Sequence, residues 1–586
     1  VINATFIIIA AFVPLFFLSG MEGRLLAPLG IAFIVALFAS LIVAVTLTPV
    51  LCGLLLTDEK MLQRQHGESW VVRNLNAGYE KALALALRWK PVVIGAAVVL
   101  FVVAAFLLTR SGRSFLPEFN EGSLVISAVS LPGISLEESN KIGTQIERTL
   151  LTIPEIKVVT RRTGRAEQDE HAQGVNAAEI DAPFVLDARS RTGFMEEVRQ
   201  KLAAITTANI TIGQPIGHRI DHMLSGTRAN IAIKVFGPDL NRMFTLANGI
   251  KTAISDIPGL VDIGVEQQIE IPQIQIKAKR EMLARYGISV GDFTEFVDVA
   301  FAGEKVGEVY EGAQSFDLVV RYDPQNQGAM ENMRNTLIDA GNGQKIPLTY
   351  VADVVSTSGP NTINRENVQR KVVVSVNVSG RDQKSAVADI QAAIRQSVQL
   401  PEGYRIEYGG QFEAEVEASR TLLMASLLSL VIVFLLLYTE FGSVPLATVI
   451  LLNLPLALIG GVMSISLTSG IISIPAIIGF ITLFGIATRN GILLVSHYEH
   501  LQTVEGLPLN EAVQRGSKDR LSPILMTALT AGLALVPLAL GGDLPGNEIQ
   551  SPMAKVILGG LLTSTLLNLF VIPIVYLLVN RKNSRT

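Results

Sequence analysis

The sequence predicts a polytopic α-helical membrane protein that carries a large α+β insert on one side of the bilayer. Three observations point there. Of the 586 residues, 49% are hydrophobic and only 17% charged, with a mean hydropathy of +0.42, whereas soluble domains carry about 25% charged residues. Apolar runs long enough to span a bilayer, about 17–25 residues, recur in two blocks. Between the blocks, residues 111–416 are polar and mixed, with ordinary strand and helix periodicities.

In chain order, runs at about 3–19 and 27–56 make residues 1–56 the last two transmembrane helices of a first half. The chain opens at Val1 inside an apolar run, with neither Met nor a charged leader before it, so a start within a longer polypeptide is expected. Residues 57–90 form a linker in which "SWVVRNLNAGYEKALALALRWK" reads as an amphipathic helix at the membrane surface. Residues 91–110 are the first transmembrane helix of a second half, 111–416 the insert, and 417–580 five closing helices, near 418–438, 444–468, 474–499, 519–541 and 553–579. Residues 581–586 are a tail.

Orientation follows from Lys and Arg in the short loops. The 57–90 connection carries Lys60, Arg64, Arg73, Lys81, Arg88 and Lys90, and the 501–520 loop carries Arg515, Lys518 and Arg520. By contrast, "GGDLPGNEIQ" (541–550) carries none. The basic loops and the tail therefore belong in the cytoplasm and the insert on the far side. A net charge of −4 leaves no basic footprint for nucleic acid. The one cysteine, Cys52, forms no intrachain disulfide.

Two internal echoes appear. The opening segment places prolines at 14, 28 and 49, and the closing segment at 537, 552 and 573, with spacings of 14 and 21 against 15 and 21. Both copies run outward and then inward, as a parallel repeat of two transporter halves does. Within the insert, residues 123–164 and 230–265 both read strand, helix, strand, each helix ending at an Ile-Pro pair. Proline neither continues a helix nor donates a ladder bond, so it suits that junction. These pieces fit small ferredoxin-like βαβ subdomains.

The phrases "GMEGRLLAPLG", "LPGISLEES", "RIDHMLSGTRANIAIKVFG", "RLSPILMTAL" and "EIQSPMAKVILGGLLTS" resemble the heavy-metal efflux branch of the resistance–nodulation–division (RND) exporters. The resemblance covers essentially the whole chain, as roughly the C-terminal part of a pump. It implies an RND exporter fold with periplasmic porter and docking subdomains at 111–416, in the bacterial inner membrane. It also implies a homotrimer driven by inward proton flow, working with a periplasmic adaptor protein and an outer-membrane channel.

"FGIATRNGILLV" (484–495) places Arg489 and Asn490 inside an apolar helix. A charge at mid-bilayer costs at least about 2.5–3.5 kcal/mol, so such residues face a bundle interior and serve a pathway. In RND pumps a basic residue at the Arg489 position and a hydroxyl at the Thr527 position belong to the proton relay. Arginine barely titrates, so Arg489, beside Asn490, is expected to sense carboxylates rather than carry the proton. The plainer alternative is an arginine that only glues the bundle. His497 and His500, three apart with no third ligand in the sequence, read as interfacial polar residues.

For the cargo, copper- and silver-exporting relatives carry three methionines in the periplasmic cleft, which by motif position would fall near Ser127, Ile180 and His222. None is Met here. The insert offers Glu167, Asp169, Glu170 and His171 in one loop, and His218, Asp221 and His222 in "GHRIDHM". Carboxylate plus imidazole suits divalent zinc, cobalt, nickel or cadmium better than monovalent copper. Solvated acidic loops or salt bridges between subdomains would explain the same residues. The alternative cargo is an organic drug or amphiphile. No serine elbow, Walker loop or HExxH occurs, so neither an enzyme nor a resident cofactor is expected; a metal ion would be cargo.

Overall fold

A computed structural model describes residues 2–55, 69–117, 119–164, 174–186, 189–323, 330–542 and 544–583. The chain begins with helices α1 (Ile2–Phe12), α2 (Gly20–Val45), α3 (Leu47–Leu55), α4 (Trp70–Arg88) and α5 (Lys90–Arg110). It closes with α15 (Gln411–Phe441), α16 (Val444–Leu451), α17 (Asn453–Leu467), α18 (Ile474–Thr503), α19 (Leu509–Leu540) and α20 (Gln550–Asn583). Among the described residues, seven helices or helix pairs are long and apolar enough to cross a membrane. The expected span at 3–19 is shorter: Pro14 turns residues Val13–Phe17 into a 3₁₀ segment, leaving an apolar helix over Thr5–Phe17. The 27–56 run breaks at Thr46 between α2 and α3, and the 444–468 run breaks at Leu452 between α16 and α17.

Helices α17, α18 and α20 form the centre of the bundle. Glycines let them approach: a Cβ at Gly460 would run into the Gly559 carbonyl and Thr563, and one at Gly479 would lie 2.9 Å from the Met553 carbonyl. The Thr563 hydroxyl accepts from the Gly460 N–H at 3.1 Å, and the Ser464 hydroxyl donates to the Lys555 carbonyl at 2.8 Å. Such small-residue crossings are how helices associate where lipid supplies no hydrophobic drive. The outer helices differ: 6% of the apolar stretch of α19 is buried, against 72% for α18.

The amphipathic helix α4 docks on the basic-loop side. Asn76, Tyr79, Leu83 and Ala86, spaced three and four apart, are buried. Tyr79 donates to the Leu569 carbonyl at 2.7 Å, and Lys518 pairs with Glu80 at 3.2 Å. Trp70, Val71, Leu75 and Leu85 remain exposed on its other side.

The insert contains two units of the same connectivity. The first runs β2 (Ser123–Ser130), α6 (Leu136–Leu150), β3 (Thr160–Thr163), β4 (Ala177–Pro183), α7 (Arg191–Ala203) and β5 (Ala208–Gly213), after a short β1 (Gly112–Ser114). Its antiparallel sheet has the order β3-β4-β2-β5. Leu124, Ile126, Ile180, Ala182 and Ile212 point to one face and pack under Ile146, Leu150, Phe194 and Val198 of the two helices. Helix α8 (Pro215–Ser225) follows and packs on the other side, with Gly213 against His218.

The second unit runs β6 (Ile231–Phe236), α9 (Leu240–Ile254) and β7 (Leu260–Val265), and resumes about 100 residues later with a further strand, helix and strand. The interruption comprises β8 (Glu270–Ala278), α10 (Arg280–Arg285), α11 (Val290–Val297), the hairpin β9 (Glu304–Glu311) and β10 (Gln314–Val320), α12 (Met330–Asn335), β11 (Leu337–Asp339), β12 (Lys345–Pro347), α13 (Leu348–Val351) and β13 (Ala352–Pro360). It has its own core of Leu283, Phe293, Ile338, Leu348 and Val354. The return elements are β14 (Arg365–Glu366), β15 (Gln369–Val378), α14 (Gln383–Ser397) and β16 (Arg405–Gly410). Strand β15 pairs with β6 and β7, and β16 with β6, so the second sheet repeats the order of the first.

The insert is tied to the membrane helices at several points. Strand β1 pairs in parallel with β17 (Ile471–Ser473), which leads into α18. Glu548, in the loop before α20, accepts from the Asn120 N–H at 2.9 Å. Strand β16 runs directly into α15, so one helix begins inside the insert and ends across the bilayer.

Candidate functional site

Two regions hold the chemistry-bearing residues. In the membrane, Arg489 lies on the exposed side of α18 while Asn490, one residue on, is buried. Helical periodicity explains the split: Ala487, Asn490, Gly491 and Leu494 face inward, and Ile486, Arg489, Leu493 and Ser496 follow the opposite stripe. Thr527 is half-buried on α19, and its hydroxyl donates to the Pro523 carbonyl of its own helix at 2.9 Å. Among the described residues, no hydrogen bond or ion pair joins Arg489 to Asn490 or Thr527. Arg520, counted in the sequence only as a loop charge, sits two helical turns before Thr527, and its Nε is buried without a protein partner. Its seven-residue spacing from Thr527 was the available signal.

The second region is the face of the first sheet turned away from α6 and α7. Strand register aligns Arg162, Glu179, Ser127 and Thr211 in a row across the four strands. Directly paired residues share a face, so these four do. The Arg228 guanidinium donates to the Ser127 hydroxyl at 2.6 Å and lies 3.8 Å from Glu179. Arg162 lies 3.2 Å from the same carboxylate, and the His218 ring 4.0 Å from it. Burial pulls Arg228 below its ordinary value, and Glu179 partly restores it.

Sequence position had pointed to Ile180; the structure places Ile180 in the core on the opposite face and Glu179 in the cleft. The alternation of "AAEIDAP" leaves that choice open until strand pairing is known.

Asp221 is buried in the second half of α8. Its carboxylate accepts from Gln411 Nε2 at 2.6 Å and Asn230 Nδ2 at 3.3 Å. Burial pushes Asp221 up to about 7, against those hydrogen bonds. Gln411 is the first residue of α15, so this carboxylate is joined to the start of a membrane helix. His222 is half-buried beside it, and Met223 is exposed. Glu167, Asp169, Glu170 and His171 lie outside the described residues. Among the described residues, no group of three His, Cys, Asp or Glu side chains converges as a metal site would.

A membrane bundle joined to a twice-repeated βαββαβ insert defines the RND permease fold. The solved structure of a heavy metal efflux pump superposes with a TM-score of 0.80 at 28% identity, over 99% of this chain and 58% of that one. The chain belongs to the AcrB/AcrD/AcrF family, which matches residues 1–580, and within it to the heavy-metal RND branch. It is 35% identical to Protein HelA of Legionella pneumophila, over 98% of this chain and 55% of HelA. It is 33% identical to the cobalt-zinc-cadmium resistance protein CzcA of Cupriavidus metallidurans, again over 98% and 55%. The chain thus spans about half the length of the curated relatives it matches.

Proposed function

We propose that this chain is part of a proton-driven efflux permease that exports divalent metal cations, with zinc, cobalt, nickel and cadmium favoured over copper and silver. The observation that carries this reading is the donor set of the cleft. Ser127, Glu179 and Thr211 line the open face of the first sheet, and the helix packed on it bears His218, Asp221 and His222. Oxygen and imidazole donors suit divalent ions, and thioethers would suit monovalent copper. Arg162 and Arg228 both pair with Glu179, so an arriving ion competes with two guanidiniums for it. Resistance to cobalt, zinc and cadmium in the name of one relative agrees with this cargo.

In this reading the two βαββαβ units are the ferredoxin-like porter subdomains, and the insertion at 266–364 is the docking subdomain. Arg489, Asn490 and Thr527 belong to the proton relay. Arg489 acts as a fixed positive charge that responds to carboxylates in the part of the relatives' length that this chain does not span. The assembly is a homotrimer in the inner membrane, with a periplasmic adaptor and an outer-membrane channel.

Deleting the full-length gene is expected to sensitise cells to zinc, cobalt, nickel or cadmium, and Arg489→Met to match the deletion with trimer assembly intact. Equal resistance of the deletion and its parent to every metal tested removes the metal reading. Export retained by Arg489→Met removes the relay.

A further inference from the structure

The centre of the bundle contains polar side chains that, Asn490 apart, the relay reading leaves unused. Asn453 of α17, Asn490 of α18, and Thr565 and Asn568 of α20 are 0%, 2%, 4% and 1% exposed. Asn453 Oδ1, Asn490 Nδ2, Thr565 Oγ1 and both polar atoms of the Asn568 carboxamide have no protein hydrogen-bond partner. An orphaned buried polar group is left with its full desolvation penalty, and in hydrocarbon no lipid atom relieves it. Five such atoms at random depths would be five separate defects. Their placement argues otherwise.

Helices α18 and α20 run parallel with a constant offset. Gly479 abuts Val556, Leu483 abuts Gly560, and Glu499 accepts from Tyr576. Each pair is 77 residues apart, which sets Asn490 level with Leu567 and Asn568. Asn490 also shares a helix face with Leu483, seven residues earlier, so it points at α20. Thr565 stands one turn from Asn568 on the same helix. From α17, Asn453 abuts Gly491, next to Asn490. Three helices therefore bring their unsatisfied groups to one level.

We propose that the α18–α20 interface holds an internal water site, built by Asn490 and Asn568 with Thr565 and Asn453 at its edge, and that this water fixes the Asn490 carboxamide on the inward face of α18, one residue from Arg489 on the outward face. The orphaned atoms include donors and acceptors, so the ligand must be able to do both. Water does, and a buried water typically makes about three hydrogen bonds to such groups. A metal cation does not fit: no carboxylate is present, and two of the orphans are N–H₂ donors. Rotating one carboxamide exchanges its O and N, but Asn568 lacks partners for both, so no flip satisfies it. The functional consequence rests on the relay reading of Arg489, while the site itself rests on packing alone.

The test uses the full-length protein in lipid nanodiscs and in proteoliposomes containing a pH-sensitive dye. A structure resolving ordered solvent should show water bonded to both Asn490 and Asn568, and Asn568→Leu should lose it. With zinc chloride as probe, Asn568→Leu should slow coupled proton movement tenfold or more at unchanged trimer yield. Asn568→Ser, which keeps a donor and acceptor and leaves room for a second water, should retain at least a third of the rate. An interface found dry, or Asn568→Leu moving protons at the parental rate, overturns the proposal. Arg489→Met with parental proton movement would instead defeat the relay reading, and the solvent observation would still decide the water site.

Discussion

Burial and hydrogen bonding pull Asp221 in opposite directions, and burial wins, holding the carboxyl near 7. Because the folded value is raised above the ordinary one, the stability it contributes is fully present below about pH 4. That contribution is lost as pH rises through 7. Asp221→Asn should therefore raise the thermal midpoint of the protein most at pH 8, less at pH 5, and least at pH 4. The displacement of the carboxyl from its ordinary value to about 7 corresponds to about 4 kcal/mol between the ends of the pH range, and equal midpoint changes at pH 5 and pH 8 would contradict it. Residue identity alone was an uneven guide. The sequence marked Arg489, Asn490, Thr527, Asp221 and His222 as chemically unusual for their surroundings. It could not mark Glu179 or Arg228, whose importance arises from strand register and from a long side chain reaching across a sheet. Nor could it show that Arg489 and Asn490, adjacent in the chain, face opposite ways.

Elements were more legible, because long apolar runs and Ile-Pro junctions are local signals. What escaped was their continuity. Polar Gln411–Glu417 extends α15 out of the membrane, and polar Leu509–Asp519 extends α19, since a helix ladder does not stop where hydropathy does. The breaks at Thr46 and Leu452 each fall three residues before a proline, Pro49 and Pro455, a local signal that the apolar runs around them masked. Two measurements address packing at this scale. Gly460→Val forces α17 and α20 apart where backbone meets backbone, and overpacking of this kind costs about 1–3 kcal/mol. It should lower the unfolding temperature in detergent without altering Asp221. On α4, Leu83→Ala should cost about 2–4 kcal/mol, as a buried leucine does, and Glu80→Gln under about 1 kcal/mol, since its pair with Lys518 is exposed. Comparable losses from the two would mean that charge, not burial, holds this helix down.

At the scale of the whole molecule, the central helices of the bundle are packed and several outer ones are bare. Met526, Leu529 and Leu533 of α19 stand exposed, as does Arg489 of α18. Relatives nearly twice as long have chain to cover such a surface. In a Cys52→Ser background, bimane attached through exposed Met526→Cys should be quenched strongly by spin-labelled lipid, and bimane at buried Ile524→Cys several-fold less. Equal, weak quenching at the two positions would mean that another surface covers this face of α19. The twofold repeat of the insert was visible in outline, as strand, helix, strand at 123–164 and 230–265. The interruption of the second copy was not, because β7 and β15 are neighbours in space but about 100 residues apart in sequence.

That interruption leaves and returns through a single antiparallel ribbon, β8 against β13, in register from Glu270–Pro360 to Ala278–Ala352. Nine residue pairs make a stem of about 30 Å, anchored in the second sheet at one end and in an independent hydrophobic core at the other. A ribbon of that length twists readily but does not stretch. Rocking of the second unit would thus be magnified into a sideways sweep at the far end, as a mast amplifies the roll of a hull.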